Sequence, residues 1–194
     1  MNCRTIIAAA AASFALTSGA YAADCKTDVE DPFDLEAAQI EEIYACIGDK
    51  MLEGYTKGDN EVAAVYRNWA PTATRPAVAG PHGNRLLNTF ANDIAAEQYL
   101  KFEEEGVVMP AGSVLAKESI KIDVKKNKAV VGPLFIMTKG EAGAAPDADD
   151  WIYSAVRPNG KPMKIKQSFC HNCHEAFEGQ DALGYPLEEV RISN

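Results

Sequence analysis

Residues 170–174 read Cys-His-Asn-Cys-His, and the rest of the chain has to fold around whatever these five residues bind. The motif has the form C-x-x-C-H, which is the attachment signature of a c-type haem. Each thiol can add to one vinyl group of the same porphyrin, and the histidine after the second thiol can bind the iron as its proximal ligand. The sequence therefore predicts one covalent haem c per chain, held by Cys170, Cys173 and His174.

Paired cysteines also occur in zinc sites, dithiol redox pairs and structural disulfides. A structural zinc ion takes four protein ligands, and residues 171–174 are too crowded to complete a tetrahedral set with Cys170. A thioredoxin-like pair is expected early in a βαβ unit, whereas this motif lies near the C-terminus. Covalent haem is the favoured interpretation, provided that the chain is exported, and a haem-free thiol protein is the weaker alternative.

The first residues have the pattern of a secretory signal peptide. Arg4 precedes an apolar run over residues 5–16, and Ala20-Tyr21-Ala22 has the form of an A-x-A cleavage site. Cleavage after Ala22 predicts a signal peptide at residues 1–22 and a mature chain of about one domain. No later run approaches the roughly 18 apolar residues of a membrane-spanning helix. We therefore expect a periplasmic protein without a membrane partner.

The charge of the chain limits its possible partners, and its cysteine content indicates the redox state of its compartment. The formal net charge is −9 at pH 7, and an acidic chain without a basic run argues against nucleic acids as partners. With Cys3 in the signal peptide and two cysteines assigned to haem, Cys25 and Cys46 remain. A disulfide between them is expected in an oxidising compartment, although two buried thiols would give the same sequence.

Two helices are predicted at the start of the mature chain. The first begins at Asp31-Pro32, because a polar cap followed by proline is typical of a helix start, and its apolar residues recur at helical spacing from Leu35 to Leu52. A second helix is predicted over residues 61–69. Residues 71–83 contain three prolines and are interpreted as a connection.

Four short strands and one further helix are predicted after this connection. The strands cover residues 85–92, 113–123, 130–138 and 151–156, and the helix covers residues 94–105. Short strands joined by turns, with helices before and after them, indicate an α+β fold with an antiparallel sheet. We assign residues 23–60 to an N-terminal helical segment and residues 61–194 to a haem domain that ends in the C-x-x-C-H segment.

A few side chains outside the motif are candidates for a haem site. His82 or Met109 could bind the iron opposite the proximal histidine, although solvation and packing are the commoner uses of a loop histidine and a methionine. Arg85 could pair with a carboxylate or bind a haem propionate. Lys117 lies on a strand suited to burial, where it could extend to solvent or pair with Glu118.

Several segments together resemble the cytochrome P460 family. They are His82-Gly83-Asn84-Arg85, Asn92-Asp93-Ile94-Ala95-Ala96, Met109-Pro110-Ala111-Gly112-Ser113-Val114, Lys117-Glu118, Gly132-Pro133-Leu134 and Asp150-Trp151-Ile152-Tyr153, followed by C-x-x-C-H. The resemblance runs from about Tyr66 to Ile192. It implies a mostly antiparallel β domain, usually a homodimer, and a five-coordinate haem with His174 as its proximal ligand.

The resemblance also assigns roles to two basic residues. In members that oxidise hydroxylamine a lysine is crosslinked to the haem, and Lys117 falls on that position. Arg85 falls near a family arginine of the distal pocket. A sister group, the cytochromes c′-beta, lacks the crosslink, covers the distal face with aromatic side chains and binds nitric oxide. Phe90 and Phe135 are candidates for such a cover by their strand positions.

One position departs from the hydroxylamine-oxidising members. Where they carry a distal glutamate, this chain has Thr138, with Glu141 three residues later. Proton removal from a bound substrate needs a base within hydrogen-bond reach, and a threonine hydroxyl is not one near neutral pH. Either Glu141 enters the site, or the glutamate position aligns with another residue of this strand, or the chain does not carry out the full oxidation, so the sequence leaves the enzymatic activity open.

Two functions follow from this pattern. The favoured one is an exported haem protein with an open iron site that binds or oxidises small nitrogen compounds, hydroxylamine or nitric oxide, and passes electrons to a periplasmic acceptor. His174 would hold the iron, Lys117 would distort and tune the macrocycle, and Arg85 would polarise the bound ligand or hold a propionate. The alternative is an electron carrier whose iron is six-coordinate, with Met109 or His82 opposite the proximal histidine.

Overall fold

The structure, a computed structural model, describes residues 24–192, so the predicted signal peptide lies outside it. The described residues form four α-helices and seven strands: α1 (Ala37–Tyr55), α2 (Glu61–Val65), α3 (Asp93–Tyr99), α4 (Gln167–His174), β1 (Ala70–Pro71), β2 (Ala77–Ala79), β3 (Arg85–Ala91), β4 (Val114–Asp123), β5 (Lys128–Val131), β6 (Leu134–Lys139) and β7 (Trp151–Val156). No helix within residues 24–192 is both long and apolar enough to cross a membrane.

All seven strands belong to one antiparallel sheet. The main order is β1-β3-β4-β6-β7, with β2 paired to β3 and β5 paired to β4. This confirms the α+β class and the antiparallel sheet. β4 lies at the middle of the sheet, because it pairs with β3 on one side and with both β5 and β6 on the other.

The strand predicted at residues 130–138 is two strands in the structure. Gly132 and Pro133 interrupt it, since proline has no N–H to give to a sheet ladder. The carbonyl of Gly132 accepts a hydrogen bond from the Tyr55 hydroxyl at 2.8 Å, and its N–H donates to the Ser119 carbonyl at 2.8 Å. The break therefore fixes the sheet to the end of α1.

Side chains alternate along β4 between two faces of the sheet. We call the first the helix face; it is defined by Ala116, Glu118 and Ile120, and its apolar residues share a buried core with α1. The second is the motif face, defined by Leu115 and Lys117, where Leu115 belongs to a separate core that also contacts Cys170. Neighbouring residues of β4 therefore serve different parts of the molecule.

Helix α1 covers the helix face through one apolar stripe. Its buried residues recur three or four positions apart, as an amphipathic helix requires: Ile40, Ile43, Ile47, Met51 and Tyr55. The helix begins at Ala37 and not at Asp31-Pro32 as predicted, because Pro32–Asp34 form a separate 3-10 turn and Glu36 with Gln39 forms a capping box. Cys46 of α1 is joined to Cys25 by a disulfide, with Cα atoms 5.8 Å apart.

Two predicted helices are shorter in the structure. The one expected over residues 61–69 ends at Val65 and continues as a 3-10 turn over Tyr66–Asn68. The one expected over residues 94–105 ends at Tyr99, and Phe102 adopts a left-handed backbone with φ 50°. The aromatic ring of Phe102 lies 5.9 Å from that of Tyr99 and 5.4 Å from that of Tyr185. Aromatic packing therefore overrides local helix propensity there.

Candidate functional site

The cysteine motif lies on α4, and a glutamine side chain attaches the start of this helix to the edge of the sheet. Gln167 accepts a hydrogen bond from the Tyr153 N–H at 2.7 Å and donates one to the Tyr153 carbonyl at 2.8 Å. The Gln167 amide thus makes the two hydrogen bonds to Tyr153 that a residue of a neighbouring strand would make. Cys170 is partly exposed and Cys173 is exposed, and both are free thiols. Both are open to chemical modification.

His174, the last residue of α4, is held by its Nδ1 atom, which lies 2.6 Å from the Ala182 carbonyl oxygen. A carbonyl oxygen can only accept, so the proton is on Nδ1 and the lone pair is on Nε2. Burial, followed by the charge of Lys117, lowers the pKa of His174 to about 4. A neutral imidazole with a free Nε2 atom and an anchored Nδ1–H is the usual form of a metal-binding histidine.

The carbonyl that anchors the proximal histidine is itself held by a side-chain network. Asp181 and Ala182 both adopt left-handed backbone conformations, with φ 55° and 63°. The Asp181 carboxylate accepts hydrogen bonds from the Met109 N–H at 2.7 Å and from Lys139 Nζ at 2.7 Å, and its carbonyl accepts one from Trp151 Nε1 at 2.8 Å. Sequence reasoning missed Asp181, because its partners come from three distant segments of the chain.

Lys117 lies on the motif face of β4 and is only 8% exposed. Its cross-strand neighbours are Thr89 on β3 and Phe135 on β6. Burial lowers the pKa of its ammonium group to about 8. Within the described residues no carboxylate forms an ion pair with it. The amine is therefore poised to be neutral, and hence nucleophilic, a little above neutral pH.

The alternative that Lys117 pairs with Glu118 is wrong. Glu118 projects to the opposite face of the sheet, where its carboxylate accepts hydrogen bonds from the hydroxyls of Tyr44 at 2.7 Å and Tyr66 at 2.5 Å. Arg67 completes the set, with Nε and Nη2 at 2.8 and 2.6 Å from Oε1. The charge of Glu118 is thus matched on the helix face, away from the lysine.

Two candidate site residues, His82 and Arg85, lie at the β2–β3 hairpin. The ring centre of His82 lies 6.2 Å from that of His174 and 5.3 Å from that of Phe135. Burial, followed by the charges of Lys117, His174 and Arg85, lowers the pKa of His82 to about 3. His82 is therefore not the solvated loop residue that the sequence favoured. Arg85 is partly exposed at the start of β3 and lies on the same face as Lys117 by strand alternation.

The two aromatic candidates lie on opposite faces of the sheet. Phe135 is on the motif face beside His82, which is where a cover for the site was expected. Phe90 is on the helix face, and its ring centre lies 5.4 Å from that of Tyr66. Phe90 is therefore a core residue, and its assignment to the site was wrong.

Thr138 and Glu141, the two candidates for the distal glutamate position, are not among the buried residues of the motif face. Thr138 pairs with Val114, which packs in the helix-face core, so its side chain points away from Lys117. Glu141 is exposed in the turn after β6. Met109, the other candidate iron ligand, is 2% exposed in the motif-face core. Within the motif, His171 Nδ1 lies 3.3 Å from the Tyr153 hydroxyl.

The residues present fit a haem attached through the motif. Two unbonded thiols lie three positions apart on one helix, and the following histidine is neutral with its outer nitrogen free. The buried amine of Lys117 and the guanidinium of Arg85 supply positive groups that suit propionates or a small anionic ligand. The neighbouring ring of Phe135 adds an apolar wall.

Comparison with known proteins shows the family of the chain. A family model described as Cytochrome P460 matches residues 63–183, which is more than half of the chain and includes β1 to β7 and all of α4. None of the curated proteins searched matches the chain.

Proposed function

Because the chain belongs to the cytochrome P460 family, we propose that it is an exported c-type haem protein whose iron binds or oxidises small nitrogen compounds, hydroxylamine or nitric oxide. The observation that carries this proposal is the buried amine of Lys117. It has no carboxylate partner among the described residues, and it lies on the sheet face whose core also contacts Cys170. An electron carrier has no use for such a lysine, whereas a crosslinked haem requires one.

Three residues of α4 would hold the cofactor. Cys170 and Cys173 would form its two thioether bonds, and Nε2 of His174 would bind the iron. When bound, the haem supplies a redox-active metal with one coordination position left for a small ligand. The hydrogen bond from His174 to the Ala182 carbonyl fixes the orientation of the imidazole and keeps Nε2 unprotonated.

The side chains of the motif face would act on the porphyrin and the ligand. Lys117 is the residue for a covalent bond to the macrocycle, since its lowered pKa makes the neutral amine accessible. One N–H bond of the amine and one C–H bond of the porphyrin would be replaced by a C–N bond, and the two protons and two electrons released would pass to solvent and to an added oxidant of the peroxide class. Arg85 would hold a propionate or orient a bound nitrogen ligand by charge and hydrogen bonds. Phe135 would exclude water. Neither Thr138 nor Glu141 is placed to take a proton, which favours ligand binding over the full oxidation unless another base serves.

The proposed location is the periplasm. The disulfide between Cys25 and Cys46 supports an oxidising compartment, where such bonds persist. A periplasmic electron acceptor and a second copy of the chain are the proposed partners. The acidic net charge of −9 supports the expectation that nucleic acids are not among them.

The test is the ferrous optical spectrum and the mass of the haem peptides, compared between the parent protein and Lys117→Ala. We expect a red-shifted Soret band and a peptide containing residue 117 linked to the haem peptide, both lost in the variant. Lys121→Ala is the matched control, because Lys121 lies on the same strand but is exposed. Hydroxylamine and nitric oxide should each change the spectrum of the parent protein.

Two results would count against the proposal. An ordinary c-type spectrum in all three proteins, with unlinked peptides, would refute the role of Lys117. A parent spectrum that neither hydroxylamine nor nitric oxide changes would refute the ligand class.

A further inference from the structure

Tyr153 is packed against the proximal histidine. It lies on β7 and is only 4% exposed, and its ring centre is 5.4 Å from that of His174. Its backbone N–H and carbonyl are both hydrogen-bonded to the side chain of Gln167, so its position along the strand is fixed. The exchange of one electron between a phenol and the site beside it needs only such a contact, without a bond or a cavity between the two rings.

Three side chains form a path from this phenol to the surface, and we call them the tyrosine relay. The Tyr153 hydroxyl lies 3.3 Å from Nδ1 of His171, and Nε2 of His171 lies 3.8 Å from a carboxylate oxygen of Asp149. His171 is 8% exposed, whereas the side chain of Asp149 is 60% exposed. The relay therefore begins in the core beside His174 and ends in solvent.

The two partners of His171 indicate where its proton lies. An ionised carboxylate can only accept a hydrogen bond, so the Asp149 carboxylate favours a proton on Nε2. Nδ1 then carries the lone pair and accepts from the Tyr153 hydroxyl. An imidazole with a free lone pair is a base and a proton shuttle. The phenol of Tyr153 thus has a base within reach of its proton.

Such a base matters because a phenol that loses one electron becomes a strong acid. Proton transfer in such a step needs an acceptor within hydrogen-bond reach. Tyr185 packs against the same motif-face core, but its buried hydroxyl has no hydrogen-bond partner among the described residues. Tyr44 and Tyr66 donate to the Glu118 carboxylate, but on the helix face. Tyr153 combines the contact with His174 and the neighbouring base.

We propose that Tyr153 is a redox-active residue that gives one electron to the haem site when a peroxide oxidises that site, and that His171 takes the proton. The inference rests on the haem of the proposed function and adds a second redox group beside it. The tyrosine relay would carry oxidising equivalents away from the porphyrin and toward the surface at Asp149.

The electrons and protons of this step balance. A peroxide takes two electrons, one from the haem and one from Tyr153, and with two protons from solvent it gives two molecules of water, or water and an alcohol. The O–H bond of Tyr153 breaks, its proton moves to Nδ1 of His171, and a neutral tyrosyl radical remains. A soluble one-electron reductant such as ascorbate returns the electron, and the proton returns from His171.

The competing explanation is that His171 only satisfies a buried hydroxyl. His171→Asn separates the two roles, because an amide oxygen can accept the same hydrogen bond but does not bind a proton near neutral pH. A purely structural contact would be replaced by the amide, whereas a proton acceptor would not. The variant keeps both thiols and His174, so the attachment motif is intact.

The experiment mixes hydrogen peroxide with the haem-loaded parent protein, Tyr153→Phe, His171→Asn and Tyr185→Phe, and follows electron paramagnetic resonance spectra of samples frozen at increasing times. We expect a tyrosyl radical in the parent, identified by a narrower signal when the tyrosines are ring-deuterated. The signal should be lost in Tyr153→Phe and kept in Tyr185→Phe, the matched control. It should form about a hundredfold more slowly in His171→Asn, since a placed base contributes about 10²–10⁴-fold.

Each outcome decides one assignment. A parent without a tyrosyl radical, or a signal that persists in Tyr153→Phe, overturns the assignment of Tyr153. An equal rate in His171→Asn overturns the role of His171. Tyr153→Phe should keep the ferric haem spectrum of the parent, which shows that it is folded, and peroxide should bleach its haem faster.

The same samples separate this inference from the proposed function. If the radical depends on Tyr153 but neither nitric oxide nor hydroxylamine changes the haem spectrum of the parent, the inference holds and the proposed function fails. If these ligands bind and no radical forms at Tyr153, only this inference fails.

Discussion

Replacement of Glu118 by glutamine tests the buried polar network behind the sheet. Glu118 is 1% exposed, and its two oxygens accept hydrogen bonds from Tyr44, Tyr66 and Arg67. A glutamine has almost the same shape but no charge, and one of its two polar atoms is a donor. The substitution therefore removes the charged partner of the Arg67 guanidinium. It also points an amide N–H at a tyrosine hydroxyl that donates to the carboxylate in the parent protein.

The expected cost can be estimated from these contacts. Breaking a buried ion pair by removing one partner costs about 3–5 kcal/mol. The side chain of Arg67 is 24% exposed, so water recovers part of its hydration and the lower end applies. The misplaced amide donor opposite Tyr44 or Tyr66 adds about 1 kcal/mol or more. We expect a loss of about 4 kcal/mol in the free energy of unfolding, or on the order of 10 °C in Tm for a chain of this length.

Urea unfolding followed by circular dichroism measures this loss. Glu41→Gln is the matched control, because Glu41 is exposed on α1 and should change stability by less than about 0.5 kcal/mol. Because Glu118 lies on the helix face, the folded variant should retain any bond between Lys117 and the haem. A loss below about 1 kcal/mol would show that the network is not a buried charge pair and would refute the reasoning.

Two further predictions concern the motif face. Asp181→Asn should weaken the hydrogen bond from His174 to the Ala182 carbonyl and so make the proximal imidazole less basic. We therefore expect a higher reduction potential of the haem and a lower iron–histidine stretching frequency. Asp147→Asn, a control at an exposed position, should change neither. The urea stability of a Cys170→Ala Cys173→Ala variant, taken relative to the same variant with Lys117→Met, should rise by up to about 3 kcal/mol between pH 8 and 10.5, because the unfolded lysine with pKa 10.5 binds a proton that folded Lys117 with pKa about 8 does not. The two variants are compared because buried tyrosines with a raised pKa, such as Tyr44 and Tyr66, lower the stability of both over this pH range. A relative stability that does not change with pH would refute the lowered pKa of Lys117.

Local signals predicted much of the fold. Strands β3, β4 and β7 were predicted to within one residue at each end, because their β-branched and apolar residues are bounded by turn-forming segments. The break between β5 and β6 at Gly132-Pro133 was missed. A glycine followed by a proline is also compatible with the end of one longer strand, so the pair did not by itself indicate two strands. The start of α1 was misplaced because Asp31-Pro32 is a good helix start that here serves only a 3-10 turn.

Some residues of the site could be predicted from local sequence, and others depend on contacts between distant segments. Cys170, Cys173 and His174 could be assigned because the attachment motif is contiguous. The surroundings could not, because they depend on which face each strand residue takes. Lys117 pairs with Phe135, so the odd-numbered residues of β6 share its face and Thr138 does not. The register of two strands is a property of the folded sheet, and one sequence does not contain it.

The adjacency of Lys117 and Glu118 shows why this register matters for the chemistry. In sequence an ion pair between them was one of the alternatives, and in the structure the sheet separates them. Arg67 and two tyrosines already satisfy the carboxylate, and burial is the cause that lowers the pKa of the lysine. If Glu118 faced the lysine, its charge would raise the pKa and hold the amine protonated. Strand alternation thus gives the motif face a nucleophilic amine and leaves the helix face with a stabilising charge pair.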